Sequence, residues 1–80
     1  MIVGNRYVQG LNAEQAFFHR ALRVLVQTRR LTPQAVLMAD SIESDEALVQ
    51  QGVAVFTLRR VGQSVEMFDD AFKRVGRWLV

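Results

Sequence analysis

The side chains in this 80-residue sequence that could carry chemistry are a single histidine, a few serines and a short acidic run. His19 is the only histidine, and an imidazole can serve as a general base or as a metal ligand. The carboxylates nearest to it along the chain, Glu14 and Asp40, do not form a ligand spacing with it on one helix. We therefore expect His19 to be a surface or boundary residue, and we predict no catalytic residue, no metal site and no cofactor.

The serines and the acidic run have simpler interpretations than catalysis. Ser41, Ser44 and Ser64 do not stand in the G-x-S-x-G pattern of a nucleophile elbow, so helix capping or exposure explains them. The acidic residues of 40–46 could attract a divalent cation, but their spacing is not that of a calcium loop, which has alternating oxygen ligands, a central glycine and a terminal glutamate. An enzyme would then need residues from two chains to meet at an interface, and we predict that the protein is not an enzyme.

A basic patch is the remaining candidate for a polar site. In an up-down-up arrangement, the end of the first helix and the end of the last helix lie at the same pole. That pole would collect five cations, and a phosphate-bearing or acidic partner could bind there: Arg29, Arg30, Lys73, Arg74 and Arg77. Helix C-termini also collect cations because of the helix dipole, and Asp69 and Asp70 partly neutralise the patch. We favour this dipole interpretation over nucleic-acid contact.

Composition limits the protein class. Ten basic and eight acidic residues leave a net charge of only +2, which is weak evidence for nucleic-acid binding. The absence of cysteine fits a reducing compartment, and we expect a cytoplasmic protein. No stretch reaches the roughly 18 apolar residues that a membrane-spanning helix needs. Half of the residues are hydrophobic, which is a large share for a small domain and favours self-association or a partner.

The elements that must position these residues are predicted to be helices. Apolar residues follow one 4-3 spacing in the C-terminal third of the chain: Ala54, Leu58, Val61, Val65, Phe68, Phe72, Val75 and Leu79. This spacing predicts a helix over about 54–79 that packs against other helices. A first helix is predicted over about 12–30, capped by Asn12, and a broken middle helix over about 33–51. Residues 1–10 resemble an extended arm, so we expect a single all-α domain over 1–80, a small helical bundle or helical hairpin.

The apolar surface of these helices exceeds what one bundle can bury. The first helix has apolar residues on more than one face, and the last helix adds residues beside its seam. We therefore predict a helical interface with a second copy or another helical protein. Its expected residues are Leu58, Val61, Val65, Phe68, Phe72, Val75 and Leu79 on the seam, Phe17 on the first helix and Trp78 beside the seam.

The function predicted from these features is a non-catalytic, helical protein–protein interaction module, such as an adaptor, an assembly subunit or a dedicated chaperone. In size and predicted helix content, the chain resembles small accessory proteins of bacterial secretion systems. The alternative is a small helix-turn-helix-like regulator that binds nucleic acid, with Thr32 and Pro33 in the turn. Its second helix, 34–40, would be apolar and would end in an acid where phosphate contacts need Lys or Arg.

Overall fold

The computed structural model describes residues 13–80 and contains one α-helix and a five-stranded antiparallel sheet. The all-α prediction, with its helical bundle and coiled-coil seam, is therefore wrong. The predicted arm, 1–10, and the Asn12 cap lie outside the described residues. In chain order the elements are α1 (Ala13–Gln27), β1 (Val36–Leu37), a 3-10 turn (Ala39–Ser41), β2 (Glu46–Gln51), β3 (Ala54–Val61), β4 (Ser64–Phe68) and β5 (Arg74–Leu79).

The helix predicted over 12–30 is present as α1, and it ends at Gln27. The backbone N–H of Arg30 donates to the carbonyl oxygen of Leu25 at 2.8 Å, while Arg29 takes a left-handed conformation with a φ of 63°. This is the Schellman arrangement, which closes a helix by turning the chain away from its axis. The chain then returns toward the sheet, where the backbone N–H of Thr32 donates to the side-chain oxygen of Gln51 at 2.7 Å.

The middle helix predicted over 33–51 is replaced by β1, the 3-10 turn and β2. In β2 the side chains alternate between buried and more exposed positions, because Ala47 and Val49 face the core while their neighbours do not. The described chain has no second α-helix after Thr32 and Pro33, so a helix-turn-helix unit is not formed there. The resemblance to small helical accessory proteins depended on the predicted helix content and fails for the same reason.

The long helix predicted over 54–79 is replaced by β3, β4 and β5, which form two consecutive hairpins. Tight two-residue turns precede and follow β3, with Gly52 and Gly62 at positive φ values of 62° and 61°. Glycine at the first turn position allows this conformation without a steric cost. The residues of the 4-3 spacing therefore lie on three strands and the loop before β5, and on both faces of the sheet, and they do not mark one helical stripe.

The core lies between α1 and one face of the sheet, which we call the helix face; the other is the open face. The helix contributes Phe17 and Phe18, whose rings meet edge to face at 5.2 Å, together with Ala21 and Leu25. The remaining core residues come from the strands and the segment before them: Leu31, Ala35, Leu37, Ala47, Val49, Leu58, Val65 and Met67. Neighbouring strands in the meander pair in sequence order, from β1 at one edge to β5 at the other.

Two leucines of the predicted helical seam distinguish this fold from the predicted one. Leu58 is 0% exposed at the centre of the helix face, whereas Leu79 is 75% exposed on the edge strand β5. We expect Leu58→Ala to lower the free energy of unfolding by about 2–5 kcal/mol, because it leaves a cavity. The matched change Leu79→Ala should stay within about 0.5 kcal/mol. Urea unfolding followed by circular dichroism measures both changes, and similar large losses would contradict the sheet.

Candidate functional site

The side chains that the sequence offered for catalysis are not brought together. His19 lies on the exposed side of α1. Ser41 is used by the backbone, since its hydroxyl donates to the carbonyl of Met38 at 2.6 Å and accepts from the N–H of Leu48 at 2.9 Å. Within residues 13–80, no group of three or more His, Cys, Asp or Glu side chains is placed to hold a metal ion.

The residues predicted to form one helical interface are distributed over three environments. Phe17, Leu58 and Val65 are buried in the core, and Trp78 is half-buried against it. Val61 and Phe68 are half-buried on the open face. The remaining three are exposed on the β4–β5 hairpin: Phe72, Val75 and Leu79.

The five cations of the predicted basic patch lie on different sides of the sheet. Arg30 reaches the helix face, where its guanidinium lies 5.7 Å from the centre of the Trp78 ring. Arg74 and Arg77 belong to the open face of β5, and Lys73 ends the loop before that strand. Arg29 and Arg30 border a concavity of about 490 Å³ after α1, which is lined by residues 26–27 and 29–33.

A row of alternating charges crosses the open face. The strand register places Glu46 of β2 opposite Arg59 of β3, Arg59 opposite Glu66 of β4, and Glu66 opposite Arg77 of β5. Directly opposite side chains of unlike charge favour a strand pairing, whereas like charges oppose it. This charge row therefore supports the observed register across four strands.

Arg77, the last member of the charge row, has no carboxylate partner in the described part of the chain. Glu46 pairs with Arg59 at 3.0 Å, and Glu66 pairs with Arg74 at 3.0 Å. Glu66 thus turns to the diagonal neighbour Arg74 instead of the directly opposite Arg77. The charge row ends at the sheet edge with an exposed and unneutralised guanidinium.

Within residues 13–80, the backbone of β5 has no strand partner along that edge. The N–H of Val80 donates to the carbonyl of Gln63 at 2.9 Å, which makes these two residues a hydrogen-bonded pair. Such pairs alternate along an antiparallel ladder, so Trp78 and Gly76 direct their backbone groups toward β4. The N–H and C=O groups of Arg77 and Leu79 consequently point away from the sheet.

The loop before β5 exposes an aromatic side chain in an unfavourable backbone conformation. Asp69 organises the loop, because its side-chain oxygen accepts the N–H groups of Ala71 and Lys73, each at 2.9 Å. Phe72 has a φ of 59° and is 76% exposed. Glycine, which has no β-carbon, or asparagine normally takes this position of a hairpin loop, since a bulky residue is strained there.

Trp78 covers the helix face of β5. A β-carbon added at Gly76 would lie 2.7 Å from the nearest atom of the Trp78 ring. The indole therefore lies over Gly76 and extends the core toward the edge of the sheet. On the other side of the strand, Val75 is 50% exposed and Leu79 is 75% exposed.

The site that these features define is the β5 edge, meaning the unpaired backbone of β5 with Phe72, Val75, Arg77 and Leu79 beside it. Comparison with protein-family models, with curated proteins and with solved structures found no match to this chain. Among residues 13–80, no helix is both long enough and apolar enough to cross a membrane. The functional interpretation therefore depends on the geometry of the β5 edge.

The sequence prediction included four residues of the β5 edge individually but placed them on a helix: Phe72, Val75, Arg77 and Leu79. The missed signal is a pair of Gly-X turns, at 52–53 and 62–63, each flanked by alternating apolar residues. Those turns predict the β2–β3 and β3–β4 hairpins, whereas the place of Arg74–Leu79 at the edge depends on its pairing with β4.

The strain at Phe72 predicts a stabilising substitution. We expect Phe72→Gly to raise the free energy of unfolding by about 0.5–1 kcal/mol, since relief of the left-handed strain exceeds the added freedom of the unfolded chain. Ala71→Gly in the same loop, where φ is not positive, should lower it by a similar amount. Denaturant unfolding of both variants checks the sign, and a loss of stability in Phe72→Gly would contradict the loop geometry.

The contact between Gly76 and Trp78 predicts coupled substitutions. Gly76→Ala should cost about 1–3 kcal/mol, because the new methyl group displaces the indole. In a Trp78→Ala background the same change should cost much less, because nothing remains to be displaced. A double-mutant cycle by thermal or urea unfolding measures this difference, and additive losses would show that the indole does not cover Gly76.

Proposed function

We propose that this protein is a non-catalytic protein–protein interaction module that binds an extended segment of its partner as an additional strand along the β5 edge. The observation that carries this proposal is the run of unpaired backbone groups on β5 with exposed apolar side chains beside it. Main-chain hydrogen bonds supply affinity in this mode of recognition, and side chains beside the edge supply specificity.

The two edges of the sheet differ in a way that supports this assignment. β1 has only two residues and offers little backbone for pairing, whereas β5 has six. Soluble proteins commonly protect their edges by shortening the strand, by covering it or by placing charges on it. β1 is protected by its shortness. β5 carries two arginines and a register shift opposite Met67 and Phe68, but it is long and also carries the exposed side chains of Val75 and Leu79.

Phe72 provides independent support for a binding surface at the β5 edge. Its side chain is exposed at the start of β5, and its backbone is held in a conformation that disfavours a bulky residue. Strained and exposed aromatic residues are frequent where a protein contacts its partner, because selection for binding outweighs the local cost. Phe72 would pack against the partner segment at the entry to the β5 edge.

This proposal retains the adaptor or assembly role expected from the sequence and replaces the helical interface with a strand. A second copy of the chain is one source of such a strand. Nucleic acid suits the surface less well, because the arginines of the open face alternate with Glu46 and Glu66 instead of forming a basic array.

The test uses short, capped peptides of alternating valine and threonine that differ only in a central glutamate, serine or lysine. We expect at least one peptide to bind the wild-type protein and none to bind Leu79→Pro, which removes an N–H at the open edge but none of the hydrogen bonds to β4. Fluorescence anisotropy of labelled peptides, with light scattering for self-association, provides the measurement.

Leu79→Ala is the matched control, since it shortens the same side chain and keeps the N–H group. It should retain most of the binding that Leu79→Pro abolishes. If Leu79→Pro does not fold, peptides that are N-methylated at alternate residues test the same hydrogen bonds and should not bind. If no unmodified peptide binds and the wild-type protein is a monomer, the β5 edge is rejected as a binding site.

A further inference from the structure

We propose that the segment bound at the β5 edge is an extended, acidic peptide in which a carboxylate residue lies opposite Arg77 and apolar residues lie two positions to either side. This inference rests on the proposed function and specifies the chemistry of the partner. It follows from the charge row, from the direction of the Arg77 backbone and from the exposed side chains beside it.

The charge row has an order that an added strand would continue. Across β2, β3, β4 and β5 the directly opposite residues alternate in sign, from Glu46 through Arg59 and Glu66 to Arg77. Carboxylates within the chain neutralise Arg59 and Arg74, and none neutralises Arg77 among the described residues. The next strand therefore gains most when it presents a carboxylate at this position.

The backbone geometry fixes which residue of the partner strand lies opposite Arg77. Because the N–H and C=O of Arg77 point outward, an antiparallel partner would pair both groups with the single residue opposite. The two opposite side chains then project from the same face of the sheet, here the open face. A glutamate or aspartate at that residue would reach the guanidinium while the backbones are hydrogen-bonded.

The neighbours of Arg77 define the flanking residues of the peptide. Side chains two positions apart on a strand share one face. In the bound peptide, the residues two positions before and after the carboxylate therefore lie beside Leu79 and beside the exposed start of β5. Val75, which is 50% exposed, and Phe72 at the preceding loop provide apolar contacts there. An apolar residue on either side of the acid matches this surface.

A second copy of the chain does not meet this requirement through its own edge strands. The residues of β5, Arg74–Leu79, include no carboxylate, and β1 consists of Val36 and Leu37. Pairing of two β5 strands would leave both Arg77 side chains without neutralising partners on the same face. Charge therefore favours a different protein as the source of the strand.

The experiment compares the glutamate and lysine peptides on wild-type protein, on Arg77→Glu and on the control Arg23→Glu. Arg23 is exposed on α1, so its reversal alters net charge equally and leaves the β5 edge unchanged. We expect the glutamate peptide to bind wild type at least about ten-fold more tightly than the lysine peptide, with a preference that weakens at high salt. Arg77→Glu should reverse the preference, and Arg23→Glu should retain it.

The outcomes separate this inference from the proposed function. Reversal of the peptide preference by Arg77→Glu supports both. Equal binding of the glutamate and lysine peptides, lost in Leu79→Pro, would overturn the acidic partner and leave the β5 edge as the binding site. A wild-type dimer that Leu79→Pro dissociates would identify a second copy as the occupant and would also overturn the inference. If no peptide binds a monomeric wild type, both proposals fail.

Discussion

Among residues 13–80, one helix covers one face of a five-stranded sheet, and the rest of the described structure depends on this limit. An α-helix with its side chains is about 10 Å wide, whereas neighbouring strands are about 4.8 Å apart, so α1 covers roughly two strand spacings. The large aromatic side chains of Phe17 and Phe18 fill the centre of that contact. Strand residues under the helix are buried, and residues on the open face and at the far edge remain near solvent.

The contacts around the edge of the core follow from the limited area of the sheet that α1 covers. On the helix face, the guanidinium of Arg60 lies 4.4 Å from the centre of the Phe17 ring, and the indole of Trp78 extends the core over Gly76. On the open face, the paired charges lie beside apolar side chains, and the guanidinium of Arg59 is 5.3 Å from the centre of the Phe68 ring. Both arrangements end at β5, where, among residues 13–80, Arg77 has no carboxylate partner and alternate backbone groups have no hydrogen-bond partner. A partner strand would complete the hydrogen bonding and the charge pairing together.

The sequence allowed the first helix to be predicted, because the apolar residues and Glu14 in the first turn agree over 13–27, although the predicted end at Arg30 lies beyond the observed end at Gln27. It did not allow the sheet to be predicted from spacing alone. Leu58 and Val65 are seven residues apart in both interpretations, but in the structure they lie on adjacent strands of one face. Their seven-residue spacing results from the alternation of side chains along each strand and from the tight turn at Gly62 between the two strands. Consecutive hairpins can therefore produce the same spacing as a helical heptad. The edge position of Arg77 depends on long-range pairing, which local patterns do not contain.

Amide hydrogen exchange of the free protein, measured by NMR at low concentration, tests the central claim most directly. If β5 is an edge strand paired only with β4, the amides of Gly76 and Trp78 exchange at least about ten-fold more slowly than those of Arg77 and Leu79, after correction for intrinsic rates. A continuous helix would protect all four amides alike. Equal protection of Arg77 and Trp78 in the monomer would contradict both the fold and the open β5 edge.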